Sequence, residues 1–316
     1  MSTPARPARP ALLVHRVGGP AYVEDTGRPG QAGIGVGRSG AADRAAHALA
    51  NRLLGNAPGA AALEVTLGGL ELEVTGAPGA VVWLCLTGAP APLVVAGREV
   101  GPGALVAART GDRVAVGTPT RGLRSYLAVR GGIDVPAVLG SRSHDVLAGI
   151  GPAPLRPGTV LPVGDEVTGQ PVVDGVPPAP GSDPGDVVLR VVRGPRDDWV
   201  ADAGVLTTGA WRASSRTDRV GMRLERGGPD GEAPAGLLRA ADPDALLPSE
   251  GATRGALQVP PSGEPVLFLA DHPVTGGYPV VGVVVDADVD RAAQVRPGET
   301  VRFRWVRAGT DETGGS

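Results

Sequence analysis

The chain has 316 residues, 42% of them hydrophobic, and a formal net charge of −3. This length and apolar content allow a sizeable core and indicate two domains. The nearly balanced charge, without a basic stripe, argues against nucleic acid as a partner, and no apolar run reaches transmembrane length. The Pro- and Arg-rich residues 1–10 lack the apolar core of a signal peptide, so we expect a disordered tail on a cytoplasmic protein.

Cys85 is the only cysteine and the chain contains no lysine. An internal disulfide and a multi-cysteine metal site are therefore excluded, and the apolar run around Cys85 predicts a buried, inert thiol. Without lysine there is no Schiff base, no GxxxxGK phosphate loop and no biotinyl-lysine. ATP or biotin, if used, must be bound or carried by another chain. The four histidines lack metal-ligand spacing, so no metal site is predicted.

The first half of the chain predicts a β-rich domain over residues 11–175. Apolar runs between Gly and Pro indicate strands that are buried on both faces, as in a barrel or sandwich. One helix is predicted over 41–54 from apolar residues at i, i+3, i+4 and i+7, with Ser39 placed as its cap and Gly55 at its end. The predicted strands are 11–17, 62–67, 70–74, 80–86, 92–96, 113–117 and 124–129.

The second half predicts another β domain over residues 187–306. The Pro-, Gly- and Asp-rich run at 176–186 indicates a linker before it, and 307–316 is expected to be a flexible tail. The predicted strands are 187–192, 265–270, 280–287 and 300–306.

Two short patterns occur once in each half. Ser-x-x-x-Asp-Arg spans 39–44 and again 214–219, and AARTGDRVAVG at 107–117 is echoed by AQVRPGETVRF at 293–303. Because both pairs keep their order about one domain apart, they predict an internal duplication. Two related β domains would then each place a Ser/Asp/Arg cluster at an equivalent position.

Longer motifs carry a family resemblance across residues 11–306. The segments DTGRPG, SGAADRAAHALANRLLGN, RGGIDVPAVLGSRSHD, SSRTDRVGMRLE and TGGYPVVG occur in this order. Together they make the chain similar to the biotin-dependent carboxyltransferase-like family. That family includes the C subunit of 5-oxoprolinase, the carboxyltransferase domain of urea carboxylase (allophanate hydrolase subunit 2) and an antagonist of a sporulation-kinase inhibitor.

The resemblance implies a mainly β fold of two related cyclophilin-like β-barrel domains with a few short helices. It also implies one component of a hydrolase complex: ATP-dependent opening of 5-oxo-L-proline to L-glutamate with the A and B subunits of 5-oxoprolinase. ATP would be bound with or by those partners, and no biotin would be attached to this chain. The alternatives are carboxyl transfer from carboxybiotin to urea or a related amide, and a regulatory protein that binds a kinase inhibitor resembling the B subunit.

The segment 270–282, ADHPVTGGYPVVG, is the main candidate site. Gly276 and Gly277 permit positive φ and close approach, so their N–H groups could hold a carboxylate or phosphate; a plain β-turn is the alternative. The residues proposed around it are Thr275 and Gln258 for substrate binding and Asp271, Glu250 and Tyr278 for catalysis, with the carboxylates as acid or base groups.

Charged and capping residues complete the candidate substrate-binding set. Arg216, Arg219 and Arg142 could bind an anion, with Asp218 beside them, although surface ion pairs would account for the same residues. Ser39 and Asp43 could contribute to a site in the first half, or serve only as helix cap and dipole partner.

Overall fold

A computed structural model describes residues 9–171, 187–227, 237 and 247–307. The chain divides into two compact units, Met1–Gln31 with Arg38–Gly181 and Ala32–Gly37 with Ser182–Ser316. The predicted linker at 176–186 lies outside the described residues, as do residues 1–8 and 308–316 of the two predicted tails. Among the described residues, no helix is both long enough and apolar enough to span a membrane.

The first unit contains eleven described strands and one α-helix. They are β1 (Ala11–Arg16), β2 (Ala21–Glu24), α1 (Arg44–Leu54), β3 (Ala62–Thr66), β4 (Leu70–Thr75), β5 (Val81–Gly88), β6 (Leu93–Val95), β7 (Arg98–Val100), β8 (Leu105–Arg109), β9 (Arg113–Val116), β10 (Arg124–Val129) and β11 (Val160–Pro162). All seven strands predicted in this half form. The strands that were not predicted, such as β7 and β8, are short or partly polar.

Two sheets of the first unit share one hydrophobic core. One has the order β11-β1-β4-β9-β6-β7 and the other β2-β3-β10-β5-β8. Leucines from both sheets meet in this core, among them Leu72, Leu84 and Leu127, all almost fully buried. Burial of each such side chain stabilises the fold by about 1.5–3 kcal/mol. The alternation of buried and partly exposed residues along β4 shows that its other face lies outside this core.

Helix α1 covers the outer face of the second of these sheets. It begins at Arg44 rather than 41, and its N-cap is Asp43, whose carboxylate accepts a hydrogen bond from Ala46 N at 2.9 Å. Ser39 is therefore not the cap, because it lies four residues before the N-cap. The helix ends at Leu54, and Gly55, with φ of 65°, is its C-cap. Its apolar face packs on Cys85, which is fully buried, and burial raises the pKa of the thiol to about 12. The prediction of a buried thiol is confirmed, and the raised pKa disfavours the reactive thiolate.

The second unit contains nine described strands and two α-helices. They are β12 (Val187–Arg193), α2 (Val205–Thr208), β13 (Trp211–Ala213), β14 (Gly221–Arg226), β15 (Glu250–Gly251), β16 (Ala256–Gln258), β17 (Val266–Phe268), β18 (Thr275–Gly276), β19 (Val280–Val284), α3 (Asp286–Ala292) and β20 (Thr300–Trp305). Seven strands form a closed barrel in the order β12-β19-β16-β17-β14-β13-β20, and β15 pairs with β18 outside it. The mainly β fold is confirmed.

The strand predicted at 280–287 ends at Val284, because α3 begins at Asp286. Tertiary contacts hold this helix in place. Asp288 is buried and accepts hydrogen bonds from the backbone N of Arg190 at 2.7 Å and from its Nε at 2.9 Å. Apolar periodicity alone could not reveal the boundary, since the β-branched run continues into the helix start.

The repeated Ser-x-x-x-Asp-Arg pattern has a different local structure in each unit. Asp43 caps a helix, whereas Asp218 accepts hydrogen bonds from Val220 N and Gly221 N in the loop before β14. The second pair of echoes forms the same tight turn: the backbone N of Arg109 binds Asp112, and that of Arg296 binds Glu299.

Candidate functional site

The segment Thr275–Tyr278, called the 275–278 turn below, consists of β18 and the two residues after it, and leads into β19 of the second unit. Its first two residues pair with β15 in the register Glu250↔Gly276 and Gly251↔Thr275. One more backbone hydrogen bond, from Ala252 N to Val274 O at 2.8 Å, extends this pairing. The two-stranded ribbon therefore carries the turn beside the barrel instead of within it.

Gln258, on β16 of the barrel, supports the 275–278 turn. It is only 6% exposed, and its Nε2 donates to the carbonyl oxygen of Tyr278 at 3.2 Å. A Cβ atom at Gly276 would lie 2.3 Å from that Nε2. Neither Gly276 nor Gly277 has positive φ, contrary to the reason given from the sequence. A side chain at 276 would displace the Gln258 amide from the turn.

The turn presents several polar groups to solvent. Thr275 and Gly277 are exposed, and Tyr278 is 46% exposed. Within the described residues, the N–H groups of Gly277 and Tyr278 and the hydroxyls of Thr275 and Tyr278 have no hydrogen-bond partner. Adjacent N–H donors and hydroxyls of this kind suit a carboxylate or an amide carbonyl.

Glu250, on the strand that pairs with the turn, binds Arg196 through both carboxylate oxygens. Arg196 Nε lies 3.0 Å from Oε1 and 3.1 Å from Oε2, and Nη2 donates to Oε1 as well. These hydrogen bonds lower the pKa of Glu250 and raise the pKa of Arg196. Arg196 was not singled out from the sequence, because its segment GPRDDW has no pattern that indicates its partner.

Asp271 and Arg219 form a buried ion pair. Arg219 Nε is 2.8 Å from Oδ2 of Asp271, and Nη2 is 3.0 Å from Oδ1. Both residues are almost fully buried. The other two residues predicted nearby differ: Arg216 and Asp218 are exposed. Of the two arginines predicted to bind an anion in this unit, Arg219 is therefore buried in an ion pair and Arg216 is exposed to solvent.

Three predicted site residues lie in the first unit and make contacts there. Arg142 donates from Nε to Val135 O at 2.8 Å, from Nη1 to Glu166 at 2.8 Å and from Nη2 to Asp134 at 3.1 Å. Ser39 Oγ lies 3.3 Å from the carbonyl oxygen of His144. Asp43 caps α1 and its N–H donates to the Tyr126 hydroxyl at 2.7 Å.

A largely buried cluster of hydrogen bonds joins the predicted site residue Arg142 to Asp25, which was not identified from the sequence. It consists of Asp25, Ser141, Arg142 and Ser143 and is called the Asp25 cluster below. Asp25 Oδ1 accepts from Gly27 N at 2.7 Å and from both serine hydroxyls at 2.6 Å, while Oδ2 accepts from Arg142 N at 2.6 Å. The motifs DTGRPG and SRSHD contain these residues, but Asp25 and Ser141 are 116 positions apart in sequence.

A second buried polar group surrounds the start of α1. The Tyr126 hydroxyl donates to Glu64 Oε2 at 2.8 Å, and burial raises the pKa of Tyr126 well above its usual value. His47 lies 3.1 Å from Ala60 O through Nε2, and burial lowers its pKa below 6.5. The described residues contain no group of three or more His, Cys, Asp or Glu side chains that could hold a metal ion.

The two mainly β units agree with a family match. Residues 34–305 match the carboxyltransferase domain, subdomain A and B. The chain belongs to this carboxyltransferase-domain family.

Individual relatives fall into two groups. The chain is 34% identical over 299 residues to the C subunit of 5-oxoprolinase from Escherichia coli (strain K12), a match that covers 92% of this chain and 90% of that protein. It is 32% identical to the Haemophilus influenzae protein of the same name, over 90% of this chain and 88% of that one. Urea amidolyase of Lachancea kluyveri is 29% identical over 90% of this chain, but the match covers only 16% of that enzyme.

Solved structures show similar proteins of greater length. The crystal structure of TTHA0988 in space group P6522 superposes with a TM-score of 0.79 and 34% identity, over 95% of this chain and 57% of that one. The K. lactis urea amidolyase structure has a TM-score of 0.80 and 27% identity, over 93% of this chain and 19% of that one. The chain thus spans little more than half of the first structure and about a fifth of the second.

Proposed function

We propose that this chain is the C subunit of a cytoplasmic, multi-subunit 5-oxoprolinase that uses ATP to open 5-oxo-L-proline to L-glutamate with the A and B subunits. One observation carries the proposal. The two relatives that are named as 5-oxoprolinase C subunits match this chain along 90% and 88% of their own length. The urea enzymes match over only 16–24% of theirs.

The chemistry explains why a second substrate and further subunits are needed. Amide resonance protects the lactam from water, so its carbonyl must be activated. Transfer of the γ-phosphoryl group of ATP to the lactam oxygen would do this and release ADP. Water then adds to the activated carbon and the C–N bond breaks to free the amine, which leaves an acyl phosphate. A second water molecule hydrolyses this acyl phosphate to the carboxylate, and phosphate leaves with the former lactam oxygen. Since this chain has no lysine for a phosphate loop, ATP would bind with or through the partners.

The 275–278 turn is the best candidate in this chain for contact with 5-oxoproline. Its unbonded N–H groups and hydroxyls match the carboxylate and the lactam carbonyl of that substrate. Gln258 would hold the turn, and Tyr278 could donate a proton or a hydrogen bond to the reacting amide. Asp271 and Glu250 stay candidates for acid or base roles, but each already binds an arginine, which favours a role in shaping the site.

Reconstitution tests the proposal directly. The purified chain is mixed with purified A and B subunits of 5-oxoprolinase, ATP and 5-oxo-L-proline, and glutamate and ADP are measured. We expect glutamate only when all three chains are present, in equal amount to ADP. Glutamate formation that does not need this chain would overturn the proposal.

The same proteins can separate the alternatives. Urea carboxylation would require a biotinylated carrier and would consume carboxybiotin with urea but not with 5-oxoproline. A regulatory role would show as binding of a kinase inhibitor that resembles the B subunit, with kinase activity restored and no glutamate formed. Either result, without 5-oxoprolinase activity, would replace the proposed function.

A further inference from the structure

Arg196 contacts both strands that flank the 275–278 turn, β19 and β15. Its backbone N donates to the carbonyl oxygen of Val280 at 3.1 Å, two residues after the end of the turn. Its side chain reaches Glu250 on β15, the strand that pairs with the first half of the turn. Arg196 therefore connects β19, which follows the turn, to β15, the strand that pairs with the first two residues of the turn.

The segment before Arg196 cannot move away from β19 without losing close backbone contacts. Gly194 N donates to Val281 O at 3.0 Å. A Cβ atom at Gly194 would lie 2.3 Å from Val280 O and 2.7 Å from Gly282 N. The backbone of the segment thus lies directly against β19, and the Arg196 side chain starts from a fixed position.

The ribbon of β15 and β18 depends on contacts outside its own strand pairing. It consists of two residues in each strand and is separate from the barrel ladder. So short a ribbon is not stable by itself in water. Within the described residues, the bidentate Arg196–Glu250 pair and the Gln258 amide tie the ribbon and the turn to the barrel by side-chain hydrogen bonds. Ala252, next to the ribbon, adds apolar packing against Ala256 and Phe268.

We infer that Arg196 is a positioning residue: through Glu250 it holds the 275–278 turn in the conformation that binds substrate. This inference rests on the proposed function for its activity readout, but the order of the turn can be measured without it. A guanidinium fits the role better than an ammonium, because its planar fork binds both carboxylate oxygens at once.

The test compares Arg196→Gln, Arg196→Lys and the exchange variant Arg196→Glu with Glu250→Arg in the reconstituted complex. We expect Arg196→Gln to raise the KM for 5-oxoproline roughly tenfold, with a smaller effect on kcat, since a misplaced turn weakens substrate binding. Arg196→Lys and the exchange variant should recover part of the loss. Arg193→Gln is the matched control, because Arg193 binds Asp197 on the surface of the same segment; its KM should stay within about twofold of wild type.

Hydrogen exchange separates failure of this inference from failure of the proposed function. In the complete chain, the Ala252 amide donates to Val274 O. Its hydrogen should exchange faster in Arg196→Gln than in wild type, and at the wild-type rate in Arg193→Gln. Amides of the barrel, such as Val284 N, should keep their protection in both variants. Unchanged exchange at Ala252 together with an unchanged KM would overturn the positioning role. A wild-type complex without glutamate formation, but with the expected exchange, would overturn only the proposed function.

Discussion

The Asp25 cluster and the 275–278 turn use the same kinds of polar groups in opposite ways. In the cluster, one buried carboxylate receives hydrogen bonds from two hydroxyls and two backbone N–H groups. In the turn, two hydroxyls and two N–H groups have no partner in the described part of the chain, and three of the four residues are exposed. Saturated, buried groups stabilise a fold, whereas unsaturated, exposed groups are available to a ligand.

The largest expected effect is on the Asp25 cluster. Asp25→Ala should lower the free energy of unfolding by about 3–5 kcal/mol, since each buried donor left without an acceptor costs about 1–3 kcal/mol. Urea unfolding of the purified chain measures this loss. Asp165→Ala is the control, because the Asp165 side chain is 87% exposed, and it should change the free energy by less than about 0.5 kcal/mol. Equal losses of unfolding free energy in the two variants would show that the Asp25 cluster does not stabilise the fold as proposed.

A loss of about 3 kcal/mol is expected from Arg219→Gln, which removes the guanidinium that binds the buried Asp271 carboxylate. Replacement of both residues by leucine should recover most of this stability, because an apolar pair avoids the cost of burying charges. The exposed Arg223 provides a control in Arg223→Gln. If Arg219→Gln is as stable as wild type but loses activity, the Arg219–Asp271 pair has a functional role, like the 275–278 turn, and not a structural role, like the Asp25 cluster.

The turn itself should affect turnover and not stability. Tyr278→Phe should slow glutamate formation by the reconstituted complex about tenfold, which corresponds to one hydrogen bond of about 1.4 kcal/mol to the reacting substrate. The unfolding midpoint should not change, since the hydroxyl has no partner in the described residues. Tyr22→Phe, in the first unit, controls for loss of a hydroxyl elsewhere. A stability loss without a rate effect would contradict the assignment.

The smallest effect is a pH dependence that comes from His47 in the first unit. Its pKa is lowered below 6.5, chiefly by burial, against the opposing influence of Asp25 and Glu64. Below pH 6.5 the unfolded chain takes up a proton that the folded chain does not, so stability should fall as pH falls. The slope is at most about 1.4 kcal/mol per pH unit.

Unfolding at pH 5, 6 and 7 measures this slope, and His47→Gln should make it shallower. His15→Gln serves as the control, because His15 is partly exposed and paired with Glu73. A slope that His47→Gln leaves unchanged would assign the pH dependence to other groups.

Local sequence patterns predicted the strands well and the site contacts poorly. All eleven predicted strands form, because runs such as 62–67 and 124–129 combine β-branched or leucine residues with flanking turn residues. The cap of α1 was assigned to Ser39 instead of Asp43, since both residue types suit an N-cap. The partners Arg196–Glu250 and Arg219–Asp271 are separated by 54 and 52 positions, and no local pattern encodes such distances.

The sequence by itself determined the mainly β architecture, the inert Cys85 and the family, because apolar spacing and ordered motifs are local properties of the chain. It also directed attention to the 275–278 turn. Only the tertiary structure decided which polar residues are saturated and which are open to solvent. Burial and hydrogen-bond partners depend on strands that are distant in sequence. A side chain whose hydrogen bonds are satisfied by such partners stabilises the fold, whereas the same side chain exposed to solvent can bind a ligand.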